Sequence, residues 1–138
     1  NTKGDYRVFA PDQQLVGILG EYVFSLITGV PLDLRLLAGG DDGFDFPGVN
    51  VKTSEEKKAH YLIEYTDKEF IGWYVFVCVN PEGRYGYIKG IIHSKEFREK
   101  CEVKDFGYGE RLALSLDKLE DFAPKAPVKI AAPAAILV

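Results

Sequence analysis

The sequence contains little of several residue types, and each shortage excludes a class of protein. Among its 138 residues there are no methionines, two histidines and two cysteines. Cys78 and Cys101 are too few and too far apart for a disulfide framework or a zinc knuckle, and His60 and His93 are too isolated for a metal-binding pair. The apolar runs are too short for a transmembrane span. No signal-peptide pattern opens the sequence, so we expect an intracellular, cytoplasmic protein in a reducing environment.

Positive charge is also scarce. The chain has 17 Lys and Arg against 21 Asp and Glu, for a net charge of −4. This excludes a surface that is basic throughout and coats nucleic acid non-specifically. The distribution is uneven, because residues 1–50 hold 7 acids and 3 bases while the remaining 88 residues hold 14 of each. A local site that concentrates carboxylates therefore remains compatible with the composition.

What the sequence does contain indicates a single globular domain. Hydrophobic residues make up 46% and charged residues 28% of the chain, which is typical of a soluble domain. We expect this domain to span residues 1–122. Residues 123–138 are rich in alanine and proline, and we expect them to form a tail outside the core.

A helix is predicted near the N-terminus. Asp12 is the expected cap, apolar residues follow at helical spacing from Leu15 to Ile27, and Gly29-Val30-Pro31 ends the helix. The opposite face carries small or polar residues, with Glu21 as its only charge. Such a face is expected to contact protein or to line a functional site. The alternative is that Glu21 is a solvated residue on the helix surface.

Most of the remaining regular secondary structure is predicted to be β-strand. Trp73–Asn80 is apolar on both faces, which predicts a central strand covered on both sides. Ser94 is predicted to cap a short helix that runs to Lys100. The order of elements indicates an α/β or α+β fold with a mixed sheet. The other predicted strands are Leu32–Leu37, Phe44–Phe46, Val49–Thr53, Tyr61–Tyr65, Arg84–Ile92 and Leu112–Leu116, followed by a helical turn over Asp117–Phe122.

The turn at Pro47-Gly48 gathers the residues of greatest chemical interest. In a two-residue hairpin, Asp45 faces Asn50, and Lys52 shares their side of the sheet while Val49 and Val51 point into the core. A carboxylate, an amide and an ammonium then lie on one patch. Pro-Gly favours a type II turn, which fits a tight hairpin poorly and leaves the register open. The alternative is a turn aspartate and a strand lysine in an ordinary salt bridge.

These residues resemble the PD-(D/E)XK nuclease superfamily. The helix segment Val16-Gly17-Ile18-Leu19-Gly20-Glu21 is followed by Asp41-Asp42-Gly43-Phe44-Asp45 and then by Val49-Asn50-Val51-Lys52-Thr53-Ser54. Tyr74–Asn80 and Tyr87–Ile92 are similar to later core strands of that family, so the resemblance covers about residues 12–120. It implies a restriction-endonuclease-like core of αβββαβ order, with a central mixed sheet flanked by helices.

The resemblance also implies a function, the metal-dependent endonucleolytic cleavage of DNA. Asp45 and Glu21 would bind Mg²⁺ or Mn²⁺, with Asn50 as a weaker ligand, because such cations prefer oxygen ligands. Lys52 would orient or deprotonate the attacking water and offset charge in the transition state. Asp45, Asn50, Lys52 and Glu21 are thus the predicted catalytic residues. A homodimer would place two such sites for double-strand cleavage.

Asn50 departs from the family pattern, which has Asp or Glu at this position. An amide oxygen can bind a hard cation but brings no charge, so the metal should bind less tightly. Three interpretations remain open: a tolerated neutral variant, an engineered inactivating change, or a lineage that has lost cleavage. Glu64 on the next strand could supply a displaced carboxylate.

A local basic strip is the second candidate for contact with nucleic acid. Residues 84–104 hold six bases and three acids. Within them, Lys89, Lys95 and Arg98 are the predicted DNA contacts, although a solvated helix face is the commoner explanation for such a run. A catalytically silent module on the same fold, binding DNA or protein, is therefore the alternative function. An unrelated small α+β domain is the third possibility.

Overall fold

The computed structural model describes residues 11–31, 46–122 and 126–130, of which the side chains are described from residue 15 onward. Within these ranges the chain forms two α-helices and seven β-strands. The helices are α1 (Pro11–Thr28) and α2 (Ser94–Lys100). The strands are β1 (Val49–Glu55), β2 (Tyr61–Tyr65), β3 (Trp73–Asn80), β4 (Tyr85–His93), β5 (Glu102–Asp105), β6 (Glu110–Ser115) and β7 (Val128–Lys129).

The strands form two sheets, and the fold is mixed α/β as expected. The first is a mixed four-stranded sheet of order β1-β3-β4-β7, in which β1 runs parallel to β3 and the other pairs are antiparallel. The second is an antiparallel three-stranded sheet of order β2-β6-β5. Because β1 and β3 are parallel, a crossover must join them, and that crossover contains β2.

Strand β3 separates two hydrophobic cores. Val75, Val77 and Val79 pack with Leu19 and Val23 of α1 in the first core. The alternate residues of β3 pack in the second core, which also contains β2, β6 and α2 through Leu62, Tyr74, Phe76, Cys78, Ile92, Phe97, Leu114 and Leu116. The predicted central strand, covered on both faces, is therefore confirmed. The layers are α1, the mixed sheet, and then the antiparallel sheet with α2.

Helix α1 approaches the mixed sheet closely at Gly20. A Cβ atom at this position would overlap the side chain of Thr53 on β1, so only glycine allows the two backbones to come this near. The helix begins at Pro11, a favourable first position, one residue before the expected cap. It ends at Thr28 as predicted, and Gly29 follows with a positive φ of 79°.

A β-bulge interrupts the pairing of β3 with β4. Phe76 pairs with Gly90 and Val77 pairs with Ile88, so Lys89 is the extra residue on β4. A bulge redirects the side chain that it carries and increases the local twist. Lys89 is exposed at this position.

Several expectations about the chain need correction. The prediction that residues 123–138 lie outside the core is wrong for Val128 and Ile130, because β7 pairs with β4, Val128 packs against the first core, and Ile130 is 2% exposed within it. His93 rather than Ser94 caps α2, accepting a hydrogen bond at Nδ1 from the amide of Lys95 at 3.2 Å. Strand β5 was not predicted, since Glu102–Asp105 is almost wholly polar. In the described ranges no helix combines the length and apolarity needed to cross a membrane.

Candidate functional site

The predicted turn at Pro47-Gly48 is present and leads into β1. The carbonyl of Phe46 accepts a hydrogen bond from the amide of Val49 at 2.9 Å, and Gly48 has a φ of 71°. A Pro-Gly turn with a left-handed glycine is the type II geometry, which sets the entry of the chain into β1. The predicted pairing of this strand with Phe44–Phe46 involves positions outside the described residues.

Asn50 and Lys52 lie on one side of β1, and Val51 lies on the other. Asn50 pairs with Tyr74 of β3, and Lys52 pairs with Phe76, so both point toward the second core. Val51 belongs to the first core, as expected. Asn50 is only 4% exposed. Asn50 therefore lies in the interior between the two sheets, and the Lys52 side chain is partly exposed at its edge.

Glu64 of β2 anchors Lys52. The Nζ atom of Lys52 lies 3.2 Å from Oε1 of Glu64, in an ion pair whose lysine side chain is 25% exposed and whose glutamate side chain is 1% exposed. The same Oε1 also accepts the amide of Tyr65 at 2.9 Å. A buried carboxylate requires such partners because its desolvation is otherwise very costly. The residue considered as a displaced carboxylate thus faces Lys52.

Tyr74 forms a hydrogen bond with the second oxygen of this carboxylate. Its hydroxyl donates a hydrogen bond to Oε2 of Glu64 at 2.9 Å. Burial, followed by the neighbouring Glu64 charge, raises the pKa of Tyr74, and the positive charge of Arg98 on α2 partly opposes the shift. The phenol therefore stays protonated and acts as a donor. We call Lys52, Glu64 and Tyr74 the inner cluster.

Glu21 lies in the α1 layer, which packs on the first core, whereas Asn50 and Lys52 point toward the second core. Glu21 is 4% exposed on α1, three residues before Phe24 and so on a neighbouring part of the same helix face. The Phe24 ring lies against the Phe46 ring, with centroids 4.7 Å apart, and Phe46 directly follows Asp45 in sequence. This contact brings the Glu21 side of α1 to the turn that follows Asp45. Asp45 itself lies outside the described residues.

Two of the proposed ligands carry oxygen atoms of the type that binds a hard cation. Glu21 offers a buried carboxylate and Asn50 offers a buried amide, and oxygen ligands of these types suit Mg²⁺ or Mn²⁺. Across the described parts of the chain, no group of three or more His, Cys, Asp and Glu side chains is arranged to hold a metal ion. Asp45, the proposed third ligand, lies outside the described residues.

The predicted basic strip divides between two elements. Lys95 and Arg98 are exposed on α2, whereas Lys89 is exposed at the bulge of β4. Helix α2 packs on the second core through Phe97, whose ring centroid is 5.0 Å from that of Tyr74. Of the three bases, Arg98 is the one whose charge acts on Tyr74 and hence lies beside the inner cluster.

Tyr74 is the member of this cluster that sequence reasoning missed. The alternation of β3 placed it on the same face as Phe76 and Cys78, where it looked like a core aromatic residue. The missing signal was the pairing of β3 with β1 and the packing of β2 over both. Neither relation can be derived from a strand pattern alone, because each joins residues far apart in sequence.

Comparison with known proteins returns nothing similar: no protein-family model, no curated protein and no solved structure matches the chain. The functional argument therefore depends on the residues and geometry of this chain itself.

Proposed function

We propose that this protein is a small metal-dependent DNA endonuclease that hydrolyses phosphodiester bonds, with a restriction-endonuclease-like core. Glu21, Asp45 and Asn50 would hold Mg²⁺ or Mn²⁺, and Lys52 would act at the scissile phosphate. Two copies of the chain would assemble as a homodimer, giving one site for each DNA strand. Because Asn50 stands at the position where the family pattern has a carboxylate, this activity would be weak.

The observation that supports the proposal best is the fixed position of the Lys52 ammonium. Glu64 holds it at 3.2 Å, while a quarter of the lysine side chain remains exposed. A cation anchored from the interior but reachable from solvent is suited to stabilise charge that develops on a bound phosphate. Such preorganised charges need no rearrangement during the reaction.

Each residue would have a separate task. Glu64 occupies one of the three N–H donors of Lys52, so the others can hold a water molecule or a phosphate oxygen. Tyr74 keeps the Glu64 carboxylate in place by donating to its second oxygen. The cation, when bound, supplies positive charge that polarises the phosphate. Arg98 would contact the DNA backbone beside the cluster, with Lys95 and Lys89 contacting it further along.

The direct test is cleavage of supercoiled plasmid in Mg²⁺ or Mn²⁺ by the protein and by Asn50→Asp. A carboxylate at this position adds a negative charge to the metal site, so we expect about a tenfold or greater increase in rate. Adding Lys52→Ala to Asn50→Asp should abolish the gain. Lys58→Ala provides a matched control, because Lys58 forms an exposed 3.3 Å pair with Glu55 away from the cluster.

Two results would contradict the proposal. One is the absence of cleavage in every variant together with the absence of Mg²⁺ or Mn²⁺ binding in calorimetry. The other is cleavage that is unchanged by Lys52→Ala in a variant whose circular dichroism shows a native fold.

The second candidate is a catalytically silent DNA- or protein-binding module. It is favoured by the saturation of Glu64, whose oxygens accept hydrogen bonds from Lys52, from the Tyr65 amide and from Tyr74. In this interpretation the inner cluster is a buried structural ion pair. DNA binding that depends on Arg98 and Lys95, without cleavage by Asn50→Asp, would support the module over the enzyme.

A further inference from the structure

The outer face of the antiparallel sheet carries aromatic and basic side chains that the proposed nuclease site does not use. Tyr61 and Tyr65 of β2 alternate with Leu62 and Glu64, which point into the interior. By the strand register, Arg111 pairs with Tyr65 and also with Lys104, so all three share the outer face. We call this surface the aromatic platform: Tyr61, Tyr65, Lys104, Phe106, Tyr108 and Arg111.

The platform is exposed although its aromatic area is large. Tyr65 and Tyr108 are 56% and 58% exposed, and Phe106 is 37% exposed. The Phe106 ring lies 5.7 Å from that of Tyr61 and stacks 6.1 Å from that of Tyr108, measured between centroids. A contiguous set of exposed rings on a monomer indicates a binding surface more often than an isolated exposed ring does.

The loop that carries two of these rings is held in shape. Asp105 accepts hydrogen bonds at Oδ1 from the amides of Gly107 at 2.7 Å and Gly109 at 3.2 Å. Both glycines adopt positive φ, near 108°, where other residues are strained. The strand alternation directs Asp105 and its partner Glu110 away from the outer face. The rings of Phe106 and Tyr108 are thus presented by an ordered turn.

The two cations of the platform indicate the charge of its partner. Lys104 and Arg111 occupy directly opposed positions on β5 and β6, an arrangement in which like charges repel. Each cation instead lies over a ring: Lys104 Nζ is 5.4 Å from the Tyr61 centroid, and Arg111 Cζ is 4.7 Å from that of Tyr65. Glu102 is the one carboxylate among the strand residues of this face. An anion placed between the two cations would relieve their repulsion.

From these observations we propose that the aromatic platform binds single-stranded nucleic acid, with bases stacked on its rings and phosphates held by Lys104 and Arg111. Exposed rings accept bases of any sequence, and interleaved cations follow the backbone, which is the combination that single strands require. Duplex DNA fits less well because its bases are already stacked on one another. The proposal is independent of cleavage, since the platform faces away from Glu64 on the other side of β2.

The test is fluorescence anisotropy with a labelled oligothymidylate of about 15 nucleotides, in EDTA so that cleavage cannot interfere. Tyr65→Ala and Tyr108→Ala should each weaken binding about tenfold, because each removes a stacking surface. Trp73→Ala is the matched control, since Trp73 is 40% exposed on the mixed sheet and should change binding less than about twofold.

Two further probes separate stacking from simple charge attraction. An abasic oligonucleotide with the same number of phosphates should bind about tenfold more weakly than oligothymidylate, and a duplex of the same length should also bind more weakly. Lys104→Gln and Arg111→Gln should each reduce the slope of log K against log salt by about 0.7. Lys57→Gln, an exposed lysine outside the platform, should leave that slope unchanged.

Several results would overturn the proposal. They are the absence of oligonucleotide binding, equal binding of the abasic strand, and binding that survives both tyrosine substitutions. A dimer that Tyr65→Ala or Tyr108→Ala converts to a monomer in sedimentation would also overturn it, because the platform would then join two copies of the chain. None of these outcomes bears on the plasmid-cleavage test of Asn50→Asp, so the two proposals fail separately.

Discussion

The inner cluster and the aromatic platform lie on opposite sides of the same strand, β2. They differ in the partners of their positively charged side chains. On the inner side, the Lys52 ammonium is paired with a carboxylate that is 1% exposed. On the outer side, Arg111 lies between the rings of Tyr65 and Tyr108, at 4.7 and 5.0 Å from their centroids. Consecutive residues of β2, Glu64 and Tyr65, therefore serve two distinct surfaces.

The difference shows how burial decides the partner of a positive charge. In the interior, a charge without an opposite charge is strongly destabilising, so Lys52 requires Glu64. At the surface, water solvates the cation, and a ring is sufficient to hold it in place. The inner cation is consequently paired with a protein carboxylate, whereas each outer cation lies over an uncharged ring.

The largest expected effect follows from removing the carboxylate of the inner cluster. Glu64→Ala leaves Lys52 and Tyr74 without their partner, so we expect the free energy of unfolding to fall by about 3–5 kcal/mol in urea denaturation. Glu55→Ala removes the carboxylate of the exposed Lys58 pair and should cost less than about 1 kcal/mol. Glu64→Gln, which still accepts hydrogen bonds, provides a milder variant if Glu64→Ala does not fold. Equal effects of Glu55→Ala and Glu64→Ala would remove the distinction between the two kinds of pair.

Replacing a lysine by glutamine should lower the stability by a smaller amount. The loss should be greater in the inner cluster than on the aromatic platform. Lys52→Gln takes the charged partner from Glu64, which keeps its bonds from Tyr65 and Tyr74, and should cost about 2 kcal/mol. Lys104→Gln loses a ring contact but relieves repulsion from Arg111, and should change stability by less than about 0.5 kcal/mol. Thermal unfolding of both variants measures this contrast. A larger loss from Lys104→Gln would show that the platform is part of the stabilising core.

The smallest effect concerns the protonation of Tyr74. Tyr74→Phe removes one hydrogen bond to Glu64 and should cost about 1 kcal/mol near neutral pH. Since folding raises the pKa of Tyr74, its contribution is complete below the unfolded pKa of about 10 and is lost as the pH rises above that value. Tyr74→Phe should therefore lose less stability than the parent protein between about pH 9 and 11.

Tyr65→Phe provides the control for the alkaline measurement, because this substitution on the exposed platform leaves the Tyr74 hydroxyl and its bond to Glu64 in place. Its stability should follow the parent protein through the same pH range. An identical alkaline loss in Tyr74→Phe and the parent would show that another group is responsible.

Much of the local structure could be predicted from the sequence. Strands Tyr61–Tyr65 and Trp73–Asn80 were predicted with the bounds that the structure shows, because their β-branched and aromatic residues are bounded by turn residues. The end of α1 was also predicted correctly. The short strands β5 and β7 were missed, since their few residues gain their order from pairing with β6 and β4 rather than from their own pattern.

The candidate site was predictable only in part. The sequence placed Asn50 and Lys52 on one side of a strand, because side chains of a strand alternate. It suggested Glu64 as a spare carboxylate without any reason to bring it to Lys52. The platform was not predicted, because Tyr61 and Tyr65 precede Phe106 and Tyr108 by more than 40 residues.

By itself, the sequence determined the long helix, the central strands and the alternation of side chains along them, since these follow from residue type and spacing. The tertiary structure decided that β2 crosses over the mixed sheet, and this single placement creates both surfaces. It carries Glu64 inward to Lys52 and Tyr74, and it carries Tyr65 outward to Arg111. Such contacts depend on strand register and layer packing between distant parts of the chain, which local spacing does not encode.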